Sequence, residues 1–251
     1  FDSLTVTRSD IEPTPDPDEP FEEIPTEDGT KWDLPFTFDS VKNGYFKLMA
    51  IDPSTGNLLE LTWRGEGNCV NSQGKPATYK WEVTYGTGSV PTILFYHGSD
   101  GKLYQTGSPK LLSVIEFTAP TAGYYTFNES VYKDYGPEGS QPATARNEIF
   151  WVGKGAEFTV YDVTGVSPSV KSAIAKNILD QEIGAKGKQT VELEGTVYLA
   201  AGEKVYFGRS VAEECSNTGA LSGQILGLSV LYNGTEEPGQ GGEDPTPEPD
   251  P

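Results

Sequence analysis

Histidine and methionine are almost absent from this chain, and cysteine is rare. Among 251 residues there are one His, one Met and two Cys. A histidine-rich metal site is therefore excluded, and any Ser-His-Asp catalytic device would have to use His97. A structural hydrogen bond at the edge of a hairpin is the simpler role for that residue.

Basic residues are also scarce. The chain has 18 Lys and Arg against 37 Asp and Glu, for a formal net charge of -19. Residues 1–30 hold ten acidic side chains and one basic, and residues 233–251 hold six acidic and no basic. Because phosphate recognition requires clustered Lys and Arg, the composition excludes nucleic acid as a partner.

Long apolar runs are missing as well. No segment approaches the roughly 20 apolar residues that a membrane-spanning helix needs, so we expect no membrane insertion. The chain opens with Phe instead of Met. We therefore expect a chain that was processed or excised from a longer protein.

Proline and glycine are plentiful, with 19 and 29 residues. Proline alternates with acidic residues over 12–20 and 244–251, which favours an extended polyproline II chain. We predict an acidic Pro-rich arm over 1–30, a compact body over 31–232 and an acidic Pro-rich linker over 233–251. Such linkers resemble the joints of secreted, multimodular bacterial proteins, which predicts a secreted or cell-surface location.

The first arm contains one segment with strand character. Leu4 and Val6 alternate with polar residues over 3–7, a pattern typical of a strand. Two interpretations stay open, a linker remnant and an assembly strand that pairs with another copy of the chain.

The body reads as many short strands separated by turns. Such spacing predicts an all-β sandwich or barrel of about ten to twelve strands with at most one short helix. The helix would cover 167–183, with Ser167 as its N-cap, Pro168 at its first position and Gly184 at its end; an irregular loop is the alternative. The strand candidates are 45–51, 58–63, 79–85, 91–97, 110–118, 123–132, 147–152, 156–163, 189–200, 203–209 and 223–232.

Two blocks of the body resemble a known family. Residues 115–127 read IEFTAPTAGYYTF and residues 197–207 read VYLAAGEKVYF. Both are similar to turn-and-strand signatures of bacterial jelly-roll domains of the carbohydrate-binding-module type, with Glu203 where the family usually has Asp. The resemblance implies a jelly-roll β-sandwich over 31–232, and either glycan binding or scaffolding.

Tyrosines beside a polar loop are the best candidates for a glycan site. Tyr and Trp offer flat apolar faces with a polar edge, which suits stacking on sugar rings. An ordinary solvated loop is the alternative. The predicted carbohydrate-binding residues around loop 133–147 are Tyr132, Lys133, Asp134, Tyr135 and Arg146.

The sequence pattern indicates no metal site, and we predict no cofactor. Jelly-roll modules often carry calcium, so the resemblance leaves a structural calcium ion open. Its oxygen ligands would have to come from distant loops, because the body has no Asp-x-Asp-x-Asp-Gly segment.

Cys69 and Cys215 lie among polar, turn-like neighbours. Buried structural cysteines normally have apolar neighbours, so this context favours a disulfide between the two. Two free thiols and an intermolecular bond are the alternatives.

Together these features predict a non-catalytic carbohydrate-binding-like module of a secreted or cell-surface bacterial protein, with a polysaccharide as its partner. The alternative is a structural subunit of an extracellular filament, fibre or adhesin, which would assemble with further copies of itself through Leu4 and Val6. We predict no enzymatic activity, because no nucleophile, base and orienting acid are marked together.

Overall fold

A computed structural model of the chain describes residues 21–33, 45–70, 76–83, 92–99, 101–107, 111–133, 147–163, 170–177, 183–186, 189–211 and 221–238. These residues form fifteen strands and no helix, so the predicted all-β fold is confirmed. No helix that could cross a membrane occurs among them. The strands are β1 (Lys31–Asp33), β2 (Phe46–Asp52), β3 (Asn57–Glu60), β4 (Thr62–Val70), β5 (Pro76–Val83), β6 (Thr92–Gly98), β7 (Leu103–Gly107), β8 (Leu112–Thr118), β9 (Gly123–Lys133), β10 (Asn147–Val163), β11 (Val170–Asn177), β12 (Ile183–Lys186), β13 (Gln189–Leu199), β14 (Lys204–Val211) and β15 (Leu221–Tyr232).

The strands make two antiparallel sheets. The front sheet has the order β13-β9-β15-β7-β6-β5-β4, with β1 paired to β15. The back sheet has the order β11-β10-β14-β8-β2-β3, with β12 paired to β10. Many neighbours are distant in sequence, which is the connectivity expected of a sandwich built from crossing connections.

The core lies between the two sheets. Along β9 every second residue is buried, because successive side chains of a strand point to opposite faces. Aromatic rings close the interface, with Phe127 of the front sheet 5.6 Å from Phe207 of the back sheet. Phe117 of the back sheet lies 5.8 Å from Tyr125 of the front sheet. Burial of these large side chains is the main stabilising contribution.

The outer face of the back sheet is covered by apolar side chains. Trp151 and Tyr206 are buried there, and Phe158 packs on both rings at centroid distances of 6.3 and 5.3 Å. Phe158 follows an irregularity in the β10 pairing, so one long strand both joins the back sheet and contributes to covering it. On the front sheet, by contrast, the outer face of β13, β9, β15 and β1 is largely polar.

The region predicted as a helix is strand where the structure describes it. Residues of β11 pair with β10 from Val170↔Val163 to Asn177↔Gly153, and β12 pairs with the start of β10. The predicted helix was wrong because local propensity is weak compared with tertiary pairing: the 17-residue β10 supplies backbone partners along its length.

The strand β9 begins at Gly123, where the backbone requires glycine. Gly123 has φ +154°, and a Cβ there would lie 2.5 Å from both the Gly234 carbonyl oxygen and a Tyr232 ring carbon. Only glycine allows this close approach. The end of β15 therefore packs directly on the start of β9.

Residues 21–30, which the sequence assigned to the arm, contact the sandwich. The Ile24 amide donates to the Pro120 carbonyl at 2.8 Å, and the Gly29 amide donates to the Tyr232 carbonyl at 2.9 Å. Glu23 accepts hydrogen bonds from the Thr121 hydroxyl and the Ala122 amide, which lower the pKa of its carboxyl. Residues 1–20, with the candidate assembly strand at Leu4 and Val6, lie outside the described residues.

Candidate functional site

Four neighbouring strands of the front sheet present a polar outer face. On β9 the even-numbered residues from Tyr124 to Tyr132 point away from the core. On β13 the even-numbered residues from Thr190 to Tyr198 are all exposed. Strand pairing aligns these side chains into rows across the sheet, two of which are Glu194–Asn128–Ser229–Asp33 and Glu192–Ser130–Gly227.

A groove of about 430 Å³ lies over the centre of these rows. Its lining includes the exposed side chains of Lys31, Asp33, Asn128, Glu192 and Glu194, together with the buried acid Glu129. Carboxylate, amide and hydroxyl groups in one concave surface offer both donors and acceptors. Such a surface is suited to a ligand rich in hydroxyl groups.

Tyrosines stand at both ends of the polar face. Tyr132 lies at one end of β9, in a row with Thr190 and Gln224. Tyr124 and Tyr198 lie at the other end, with ring centroids 5.3 Å apart in an edge-to-face arrangement, and Tyr198 is 46 % exposed. Each end is four residues from Asn128, or about 13 Å along an extended strand. Flat apolar surfaces therefore flank the polar groove.

Hydroxyl and amide groups link the groove to the Tyr124 end. The Thr126 and Thr196 hydroxyls are 2.7 Å apart, and Asn233 Nδ2 donates to Thr126 Oγ1 at 2.8 Å. The Asn233 amide donates to the Tyr124 carbonyl, which holds the residue after β15 against β9. These contacts connect the groove to the Tyr124 end of the polar face.

A β-bulge shapes the edge of the groove. The pairing of β15 with β9 shifts between Ile225 and Gly227, which leaves Leu226 unpaired in this ladder and 50 % exposed. A smaller depression beside it, about 150 Å³, is lined by Leu226 and Gly227 together with residues of the turn before β7. The bulge thus adds one apolar side chain beside an otherwise polar surface.

The predicted carbohydrate-binding residues lie in different environments. Tyr132 is on the polar face. Lys133, the next residue, points the opposite way and is fully buried, with its Nζ 3.6 Å from Glu148 Oε1. The structure thus places Lys133 in the core, away from the tyrosines it was predicted to accompany. Asp134, Tyr135 and Arg146 lie outside the described residues.

Lys133 belongs to a buried charge network between the two sheets. Glu148 accepts hydrogen bonds from Arg209 Nε and Nη2, and Arg209 Nη1 donates to the Gln105 carbonyl at 3.3 Å. All three charged side chains are fully buried. A Cβ at Gly223 would lie 2.7 Å from Arg209 Nη1, so the glycine makes room for the guanidinium. The network joins β9, β10 and β14.

Glu129 is a second buried acid near this network. It is 5 % exposed, and its Oε2 has no hydrogen-bond partner among the described residues. Burial raises the pKa of Glu129 to about 8, although the positive charge of Arg209 opposes the shift. The carboxyl is therefore largely protonated at neutral pH.

The remaining predicted groups are placed as follows. His97 lies on β6, with its ring 5.8 Å from that of Tyr79. Cys69 is on β4, while Cys215 lies outside the described residues, so the disulfide stays a prediction. In the described part of the chain, no three His, Cys, Asp or Glu side chains gather closely enough to hold a metal ion; the calcium alternative is untested.

The groove could not be predicted from the sequence, although part of its signal is present there. The polar–apolar alternation over 189–200 predicts a strand, but it does not show that β13 lies beside β9. The side chains that form the groove come from four strands separated by up to 200 residues of chain. Only the strand order brings them together.

Comparison with known proteins gives distant likenesses of fold. No family model matches the chain, and no curated protein matches its sequence. A family 35 carbohydrate-binding module from Clostridium thermocellum is 12 % identical, with a TM-score of 0.25, over 65 % of this chain and 95 % of the module. A family 35 module from Cellvibrio japonicus is 13 % identical, with a TM-score of 0.24, over 74 % of this chain and 94 % of that chain. Eiger, a tumour necrosis factor from S. frugiperda, is 9 % identical, with a TM-score of 0.25, over 81 % and 98 %. Likenesses this distant assign no function.

Proposed function

We propose that this protein is a non-catalytic carbohydrate-binding module of a secreted or cell-surface protein, and that it binds a polysaccharide on the outer face of the front sheet. The observation that carries the proposal is the polar groove across β13, β9, β15 and β1 with tyrosines at both ends of the same face.

The chemistry of this face suits a sugar chain. A sugar ring has an apolar face of C–H groups and a rim of hydroxyls. Tyr132, Tyr124 and Tyr198 supply aromatic surfaces on which the C–H face can stack. Carboxylates and amides such as Glu194 and Asn128 supply hydrogen-bond acceptors and donors for the hydroxyls of the rim.

The outer face of the front sheet also suits a sugar chain better than the outer face of the back sheet. The back sheet covers much of its outer side with an apolar layer around Trp151 and Tyr206, so hydroxyl-rich ligands would find few polar partners there. The polar side chains of the front sheet need no such cover, because they remain hydrated when no ligand is bound.

The test is affinity electrophoresis of the full chain in gels that contain single polysaccharides, with galactomannan, xylan, laminarin and arabinan as probes. We expect retardation by at least one of them, and no release of reducing sugar from it. Tyr132→Ala and Tyr198→Ala should each weaken binding by about fivefold, a loss of about 1 kcal/mol in stacking.

Two controls make the test specific. Tyr132→Phe keeps the ring and should retain most of the affinity. Phe21→Ala removes an aromatic ring of similar exposure, 47 % against 46 % for Tyr198, that packs on Gly202 outside the groove; its affinity should be unchanged. Equal affinity of the Tyr132→Ala/Tyr198→Ala double variant and the parent chain would rule out this face as the binding site.

A further inference from the structure

The charges of the groove are predominantly negative. Among the described residues Lys31 is the single cation of the lining, and its Nζ lies 2.9 Å from Asp33 Oδ1. That pair is neutral as a unit. Glu192 and Glu194 then contribute two further negative charges on the β13 side of the groove.

These two carboxylates are close together, and no described cation compensates their charge. They occupy alternate positions of β13 and are both exposed, so their Cα atoms are roughly 7 Å apart on one face. Their neighbours across the strand pairing are Ser130 and Asn128, which are uncharged. Neither carboxylate makes an ion pair within the described ranges.

We infer that the groove selects polysaccharides of uncharged sugars and discriminates against polymers of uronic acids. This inference rests on the proposed function, and it adds the chemical class of the ligand. A uronate carboxylate within the groove would face two like charges on a partly desolvated surface, an arrangement that is unfavourable for binding. A hydroxyl can instead donate to the same carboxylates, and such hydrogen bonds to a charged acceptor are strong.

The sharpest test compares one polymer with and without carboxylates. Galactomannan is used as such and after partial oxidation of its C6 hydroxyls to carboxylates, so that the backbone and linkages stay the same; xylan and glucuronoxylan form a second pair. The dissociation constants of the full chain are measured in 20 mM NaCl. We expect the oxidised or uronate-bearing member to bind about tenfold more weakly. In 500 mM NaCl the difference should shrink, because screening acts on exposed charges.

A double variant identifies the groups responsible. In Glu192→Gln/Glu194→Gln the ratio of the two dissociation constants should fall toward one, whatever the variant does to the uncharged member. Glu60→Gln removes an exposed carboxylate on β3 of the other sheet and should leave the ratio unchanged. Thermal unfolding of each variant confirms that the fold is intact.

The outcomes separate the two claims. If neither member of any pair binds, the proposed function fails and this inference fails with it. If the polymers bind but the carboxylate-bearing member binds as tightly as its partner, the proposed function stands and the charge selection is overturned. A ratio that stays at ten in Glu192→Gln/Glu194→Gln would show that these carboxylates are not the cause, and would also overturn it.

Discussion

Two kinds of residue are unusual in the interior: a buried acid, and glycines that lie against large side chains. Glu129 is buried without a full set of hydrogen bonds, and its raised pKa is the consequence. Gly208 and Gly223 show the complementary feature, since each leaves space that a large neighbouring side chain fills. Both features give predictions at the scale of one residue.

The protonation of Glu129 predicts a pH-dependent stability. Its pKa of about 8 in the folded chain exceeds the ordinary value of 4.5, so the folded state holds a proton that the unfolded state releases. This contribution is fully present below pH 4.5 and is lost as the pH rises through 8, with a slope of up to about 1.4 kcal/mol per pH unit. Glu129→Gln should flatten the slope. Urea unfolding between pH 5 and 8 measures the free energy of unfolding of both chains. Parallel plots of this free energy against pH for variant and parent would contradict the assignment.

Gly208 is predicted to be intolerant of a side chain. A Cβ there would lie 2.2 Å from the ring of Trp151, and that ring is held by a 2.9 Å hydrogen bond from its Nε1 to Ser210 Oγ. Gly208→Ala should cost about 1–3 kcal/mol of unfolding free energy through overpacking. Gly227→Ala is the matched control, since a Cβ at Gly227 meets nothing within 4 Å. Equal stability of the two variants would contradict the packing.

At the scale of the strands, the buried charges connect strands that backbone pairing alone does not join. The network of Lys133, Glu148 and Arg209 joins the end of β9 to the start of β10 and to β14, and so connects the two sheets. The charges stabilise one another only as a set, because each lone charge would be costly in the interior. We therefore expect the arrangement to favour this one pairing of the two sheets.

Removing one member of the network tests this interpretation. Glu148→Gln leaves two buried cations without their anion and should cost about 3–5 kcal/mol. Asp33→Asn, which breaks the exposed Lys31–Asp33 pair, should cost less than about 1 kcal/mol. Both are measured by urea unfolding at pH 7. A loss in Glu148→Gln no larger than in Asp33→Asn would show that the network contributes nothing special.

At the scale of the whole molecule, the compact unit includes segments on both sides of the predicted body. Residues 21–30 pair with the sandwich through Ile24 and Gly29, and the Phe21 ring lies on Gly202. Residues 233–234 continue the contacts of β15 with Tyr124. Residues on the outer side of both predicted boundaries thus contact the sheets, while the boundaries at 30 and 233 themselves stay predictions.

Comparison of chains that begin at Phe21 and at Lys31 tests the contribution of the first segment. The shorter chain loses the hydrogen bonds to Pro120 and Tyr232 and the cover over Gly202, so its thermal midpoint should be several degrees lower. Scanning calorimetry measures the difference. Equal midpoints would support the boundary at residue 30 instead.

The amino-acid sequence by itself determined the fold class and much of the strand placement. Alternation of polar and apolar residues, together with Gly and Pro at the turns, is a local property that can be read along the chain, and it predicted the strands around 45–51, 110–118 and 203–209. The sequence also placed Tyr132 at the end of a strand, where the structure has it on the outer face of β9; its role in binding stays a prediction.

The tertiary structure alone decided the strand order, and with it the site. The groove depends on β13, β9, β15 and β1 being neighbours, and the burial of Lys133 depends on Glu148 and Arg209 facing it from the other sheet. Such pairings are set by the free energy of packing the whole core and not by local preference. For the same reason a segment with the local pattern of a helix forms β11: its backbone partners come from β10, and this pairing is not visible in the local sequence pattern.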